Sequence, residues 1–255
     1  MPICDLCWAS MPPLSGAGCA CCGDALDGVS GSTRCRTCRL APPPFVRAVA
    51  YGLYRGPMRD AVHAFKYGRL HPAARRLGRM LASAIVQLAA ETPAGMLVVP
   101  VPLHRVKHAQ RGFNQARALA QDALRHLARS HPAWKLTLAS SALMRLRATE
   151  SQAGLAPRQR RLNLRGAFLV TDSAAVKDQH ILLIDDIMTT SATARAAAQA
   201  LTRAGAATVR VATLARARRI SSSRFNFADD AEGNSTPSQP VSSDQFSLPG
   251  QPSFQ

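Results

Sequence analysis

The chain has 255 residues, 47% of them hydrophobic, with 32 Lys and Arg against 15 Asp and Glu and a formal net charge of +17. That apolar share supplies a core and excludes a chain disordered throughout. Aromatic residues, at 5%, are too few for a stacking platform on single-stranded nucleic acid. No stretch approaches the roughly 20 apolar residues of a membrane span, and the N-terminus MPICDLCWAS has no basic-then-apolar order of a secretory signal. The expected location is the cytoplasm.

Residues 1–40 are rich in cysteine and glycine, and all seven cysteines of the chain lie there. In a reducing compartment they read as metal ligands rather than disulfides. They form three pairs, Cys4-x-x-Cys7, Cys19-x-x-Cys22 and Cys35-x-x-Cys38, with Cys21 as a spare inside the second. Two thiolates at this spacing share one tight turn, and two such turns close a tetrahedral zinc site. Three pairs offer more ligands than one site takes. Cys19, Cys22, Cys35 and Cys38 are the first choice, because the spacing from Cys22 to Cys35 suits a ribbon. Cys4 and Cys7 are the second, either unused or part of a further incomplete site. Zinc in a closed site is structural: it stabilises a segment too small to hold itself.

Next come a strand at Val46–Leu53, a helix around Met58–Lys66 and a longer helix from Pro72 to Ala90. Residues 96–215 alternate between strand and helix patterns. Met96–Leu103 and Ile181–Ile184 are continuous apolar runs, as expected of strands buried on both faces. Residues 112–130 have a helical apolar face. A short strand near Leu136–Leu138, a long basic loop from Met144 to Arg165 and a strand at Ala167–Thr171 follow. A helix over Ala192–Arg203 stops before Gly205, and Ala207–Ala215 is the last strand. This alternation predicts an α/β fold, a mostly parallel sheet with helices on both faces. From Ile220 onward the composition turns to Ser, Pro, Gln and Asp, which predicts a disordered tail. The expected organisation is a zinc-ribbon module (1–40), an α/β domain (46–219) and the tail (220–255).

Charge is concentrated in the body, where 31 bases face 11 acids before residue 224. Such a field attracts phosphates, whether in nucleic acid or in a small ligand.

The most informative stretch is HILLIDDIMTTSAT, residues 180–193. An apolar strand delivers Asp185 and Asp186 to its carboxyl end, where open α/β sheets bind ligands. The hydroxyl-bearing loop after them opens directly into a helix, whose first N–H groups and dipole favour a phosphate. Carboxylates for hydroxyls beside donors for a phosphate suit a sugar phosphate.

This stretch resembles the phosphoribosyl-diphosphate (PRPP) signature of type I phosphoribosyltransferases. VPVPLHRVKHAQRGFNQA (Val99–Ala116), the HAFKYG context of Lys66 and Tyr67, and the spaced Arg145, Thr149, Gln152, Arg161, Asn163, Gly166 and Phe168 resemble the ComF family. The resemblance runs from about residue 4 to residue 216. It implies a type I phosphoribosyltransferase-like sheet joined to an N-terminal zinc module, with PRPP and Mg²⁺ as ligands. It also implies ribose hydroxyls on Asp185 and Asp186, and the 5′-phosphate on Thr189, Thr190, Ser191, Ala192 and Thr193. The diphosphate falls to Arg105, Lys107 and Arg111, in what reads as a loop after the Met96–Leu103 strand. The Met144–Arg165 loop would close over the site. Ser191 departs from the usual loop, which has glycine there, and a side chain at that position needs a compatible φ.

The implied activity is phosphoribosyl transfer to an unidentified acceptor, with links to natural competence and DNA uptake. A second reading is a non-enzymatic DNA-handling factor that senses PRPP. A third is an adaptor whose cysteine module docks a partner protein of the competence machinery.

Overall fold

The apolar runs assemble into one sheet whose central strands are buried on both faces. Its strands are β1 (Arg47–Leu53), β2 (Gly95–Pro100), β3 (Lys135–Leu138), β6 (His180–Met188) and β7 (Thr208–Arg216). All pair in parallel, in the order β1-β7-β6-β2-β3. A separate antiparallel pair joins β4 (Leu143–Arg145) to β5 (Phe168–Val170). The computed structural model describes residues 3–26, 31–67, 71–147 and 166–217. Most of the expected basic loop, residues 148–165, and the expected tail from Ile220 lie outside the described residues.

Successive side chains of a strand point to opposite faces, and the two cores divide accordingly. Ile181, Leu183, Val209 and Val211 face one layer, where α8 (Ala192–Arg203) packs through Ala194, Ala197, Ala198 and Leu201. Leu182, Ile184, Ala212 and Leu214 face the other. That layer holds α3 (Gly56–Tyr67), α4 (His71–Val86) and α6 (Gln115–Ser130). Helices α4 and α6 cross closely at Gly78, where an added Cβ would stand 2.3 Å from Asp122 Cβ.

Cysteines 19, 21, 22, 35 and 38 belong to the same core as α8. The turn around Cys21 is bonded to β1, since Ala48 N donates to the Cys21 carbonyl at 2.8 Å. Two short helices flank this segment, α1 (Asp5–Ala9) and α2 (Arg36–Leu40), and α7 (Ser173–Val176) precedes β6.

Two expectations need correction. The basic stretch after β2 is a helix, α5 (Arg105–Arg111), rather than a loop. His104 Nδ1 accepts from Val106 N at its start, and Gly112 ends it at φ 77. Apolar periodicity is absent from RVKHAQR, so the caps alone define it. Strand β6 does not stop at Ile184 but continues through both aspartates to Met188, paired there with β7 alone. Among the described residues no helix is long and apolar enough to cross a membrane.

Candidate phosphoribosyl and metal sites

β2 leaves the sheet where β6 carries on. The last β2–β6 register pair is Pro100 with Ile184, followed by a bond from Val101 N to the Ile184 carbonyl. From β2 the chain later returns to β3 on one side, and from β6 to β7 on the other. This reversal opens a crevice at the carboxyl ends of the strands, and Asp185 and Asp186 stand beside it.

The strand's alternation sends the two carboxylates in different directions. Asp186, 9% exposed, meets Lys66 from the end of α3, with Nζ to Oδ2 at 2.9 Å. Burial alone would lower the Lys66 ammonium, but the charge and hydrogen bond of Asp186 and the charge of Asp185 together outweigh it and raise it. Asp185 accepts from Asp186 N at 2.9 Å. Burial and the neighbouring Asp186 charge push its carboxyl up to about 7, against the opposing pull of Lys66 and Arg145. A small cavity of about 20 Å³ joins Asp185 to Thr189, Ser191, Thr193 and Thr213.

Ser191 begins α8 in a left-handed conformation, φ 62 and ψ 12, the region where glycine is cheap and other residues are strained. Its side chain is 4% exposed, makes no cap, and its Oγ has no hydrogen-bond partner among the described residues. An unsatisfied buried hydroxyl beside the first N–H groups of a helix is a fitting partner for a phosphate oxygen. Ala192 is buried behind it, Thr190 and Thr193 are half-buried, and Thr189 is exposed.

Basic side chains gather on the other side of the acids. Arg111 is fixed by three contacts. Its Nη2 donates to Tyr67 Oη at 3.0 Å, Nη1 donates to Gln115 Oε1 at 3.2 Å, and its guanidinium lies 4.9 Å from the Tyr67 ring centre. Lys107 is lowered by burial and by the charges of Arg145 and Arg111, so it sits in an excess of positive charge that an anion would relieve. Arg105, the remaining expected diphosphate ligand, is exposed on α5. Lys66, Tyr67 and Arg145 appear in the sequence only as parts of a pattern, and nothing local assigns them to the acids. Thr213 carries no sequence signal at all.

The four sulfurs of Cys19, Cys22, Cys35 and Cys38 lie within 4.8 Å of one another, and all four residues are buried. Cys22 Sγ and Cys35 Sγ are 3.7 Å apart, close to the roughly 3.8 Å edge of a tetrahedron with 2.3 Å zinc–sulfur arms. Gly23 completes the turn at φ 68, where a Cβ would come within 3.0 Å of the Ala48 carbonyl oxygen. Burial pushes the Cys22 thiol up to about 12. Burial, reinforced by the charges of the other tetrad thiols, also raises Cys38. Ionising the Cys22 and Cys38 sulfurs therefore calls for a cation beside them. Cys4 is exposed and Cys7 half-buried; the structure places neither in the cluster. Ile3 and Trp8 beside them pack against the core on the other face of the sheet. Cys21 is a core residue whose thiol points at the Phe45 carbonyl, 3.8 Å away.

The phosphoribosyl transferase domain family matches residues 109–246. The DNA utilization protein YhgH of Escherichia coli O157:H7 is 36% identical over 184 residues, 71% of this chain and 77% of that protein. The chain belongs to the ComF family of phosphoribosyltransferase-domain proteins. Competence protein F of Haemophilus influenzae is 28% identical over 186 residues, 72% of this chain and 78% of the relative. Among solved structures, hypoxanthine-guanine phosphoribosyltransferase of Schistosoma mansoni aligns at 17% identity with a TM-score of 0.32, over 56% of this chain and 55% of that one. In this ComF-family chain Asp185 and Asp186 occupy the carboxyl end of β6, and its cysteine-rich N-terminus contributes to the same core as the sheet.

Proposed function

We propose that the protein binds PRPP with Mg²⁺ and transfers its phosphoribosyl group to an acceptor. One observation carries the reading: two adjacent carboxylates at the sheet's switch point stand between an unsatisfied helix start at Ser191 and a set of cations, Lys66, Lys107, Arg111 and Arg145. The ribose hydroxyls would donate to Asp185 and Asp186. The 5′-phosphate would take the N–H groups and hydroxyls of residues 189–193. The diphosphate would lie against Lys107 and Arg111, with Arg105 able to reach inward from solvent. Asp185 and Asp186 are the crevice carboxylates that would hold a Mg²⁺ bound with PRPP, which would supply positive charge to the diphosphate.

In the transfer the bond from C1 to the diphosphate oxygen breaks, its electron pair leaving with the diphosphate, while the acceptor's lone pair forms the new bond to C1 and its proton passes to water. Positive charge grows on the sugar and negative charge on the leaving group. Fixed carboxylates on one side and fixed cations on the other stabilise both without reorganising. We also propose that the tetrad of Cys19, Cys22, Cys35 and Cys38 holds one structural zinc.

Titration calorimetry with PRPP and Mg²⁺ tests the site: wild-type protein should bind, and Asp185→Asn should bind at least tenfold more weakly, the loss of one charge-assisted hydrogen bond of about 1.5–3 kcal/mol. No heat from wild-type protein defeats the reading.

A second reading, a DNA-handling factor that senses PRPP, is favoured by the excess of basic over acidic residues before residue 224 and by the names of the relatives. It requires DNA affinity that falls steeply with salt. PRPP binding without diphosphate release, against a broad panel of base and amine acceptors, would favour it over transfer.

A further inference from the structure

Arg216 ends β7 and is 1% exposed, although arginine is almost never fully buried unless paired. Its Nη2 lies 3.6 Å from Cys22 Sγ and 3.3 Å from Asp24 Oδ2. Its Nε and Nη1 are buried and have no hydrogen-bond partner among the described residues. One carboxylate on one nitrogen is a thin reason for burying a guanidinium, since orphaned donors and a desolvated charge both oppose it. The balance calls for further negative charge that is close, buried and spread over several atoms. A dication held by the four thiolates of the tetrad would carry two net negative charges and would lie beside this guanidinium.

We infer that Arg216 is the positioning cation of the metal site. Its guanidinium donates to a ligand sulfur, and Asp24 holds the guanidinium in place. Asp24 belongs to the turn that follows Cys22, and Arg216 to the last strand of the sheet, so the two halves of the contact come from opposite ends of the described chain. Partners of this kind orient metal ligands and moderate the charge on the sulfur, and their loss typically costs 10–100-fold in metal affinity. Part of the zinc affinity therefore resides in β7, far in sequence from any cysteine. This inference rests on the proposal that the tetrad holds zinc.

The test compares zinc-loaded, full-length wild-type protein with Arg216→Met, which keeps the length of the side chain but neither its charge nor its donors. Zinc release to an excess of chelator should be about 10–100-fold faster in the variant. With Co²⁺ in place of zinc, the thiolate-to-metal charge-transfer band should move to lower energy, because a sulfur that loses a hydrogen bond holds its electrons less tightly. A purely packing role for Arg216 would leave that band where it is. Wild-type release kinetics with an unmoved band overturn the inference. Should Arg216→Met fail to fold, Arg216→Lys keeps the charge without the planar fork; its release should still be several-fold faster than wild type, and an unchanged rate overturns the inference. Wild-type protein purified without zinc and unable to take up Co²⁺ would instead overturn the tetrad itself.

Discussion

Lys66 Nζ and Asp186 Oδ2, 2.9 Å apart and mostly shielded from solvent, tie the end of α3 to the end of β6. The contact places a cation against one of two adjacent acids, while the carboxyl of the other, Asp185, is pushed up to about 7 by burial and the neighbouring Asp186 charge. Removing the cation leaves two neighbouring carboxyls to share the crevice. Lys66→Met should lower stability at pH 7 by about 1.5–3 kcal/mol, the worth of a charge-assisted hydrogen bond. Urea denaturation measures this, and PRPP affinity should fall with it.

The Asp185 shift has a definite sign. Its carboxyl titrates higher in the folded chain, at about 7, than a free aspartate at about 4, so the folded state binds more protons across that interval. Its contribution to stability is therefore greatest at low pH and is lost as pH rises through that interval. Asp185→Asn should gain on wild type steadily from pH 4 to pH 7 and then level off, with an advantage at pH 8 of at least ~1 kcal/mol. Paired melting curves at several pH values give the difference directly. PRPP binding should move the opposite way in wild-type protein, strengthening from pH 6 to pH 8 as Asp185 ionises.

At Ser191 the backbone sits at φ 62 with an unsatisfied buried hydroxyl. Ser191→Gly relieves both, and should raise stability by about 1 kcal/mol. For a chain of this size that is a rise of roughly 2–4 °C in Tm. If the hydroxyl is a phosphate ligand, the same variant should bind PRPP more weakly despite being more stable, a divergence that calorimetry and melting together reveal.

Metal content separates the cysteine pairs. Cys22→Ser and Cys38→Ser should purify without bound zinc and with a lowered Tm, since each removes a ligand from the buried tetrad. Cys4→Ser and Cys7→Ser should keep one zinc per chain and melt close to wild type. Metal analysis of all four variants, purified without added zinc, decides the matter.

The sheet and α8 were legible because their signals are local. Ile181–Ile184 is an unbroken apolar run, and Ala192–Arg203 is a helix-forming stretch that ends at Gly205. The acids and the hydroxyl loop were legible by their order. Helix α5 was not, because only Val106 and Ala109 in it are apolar and its stability rests on His104 and Gly112 at its ends. Nor could the strand pattern say that β6 would continue past its apolar run, since pairing with β7 extends it through the two aspartates. Lys66 on Asp186 and Arg216 on Cys22 join residues remote in sequence. Such contacts depend on which strands become neighbours, and no window of sequence contains that information.

The bond from Ala48 N to the Cys21 carbonyl, with Gly23 pressed against the Ala48 oxygen, has a practical consequence for anyone trimming the protein. A chain begun at residue 41 would not be a tidier α/β fragment. It would bare an apolar wall beside Phe45, Ala48 and α8 and take away Cys22 and Asp24, the partners of Arg216, so aggregation during expression is the expected outcome. The cysteine-rich N-terminus forms one wall of the sheet's own core, and the two should be expressed and refolded together.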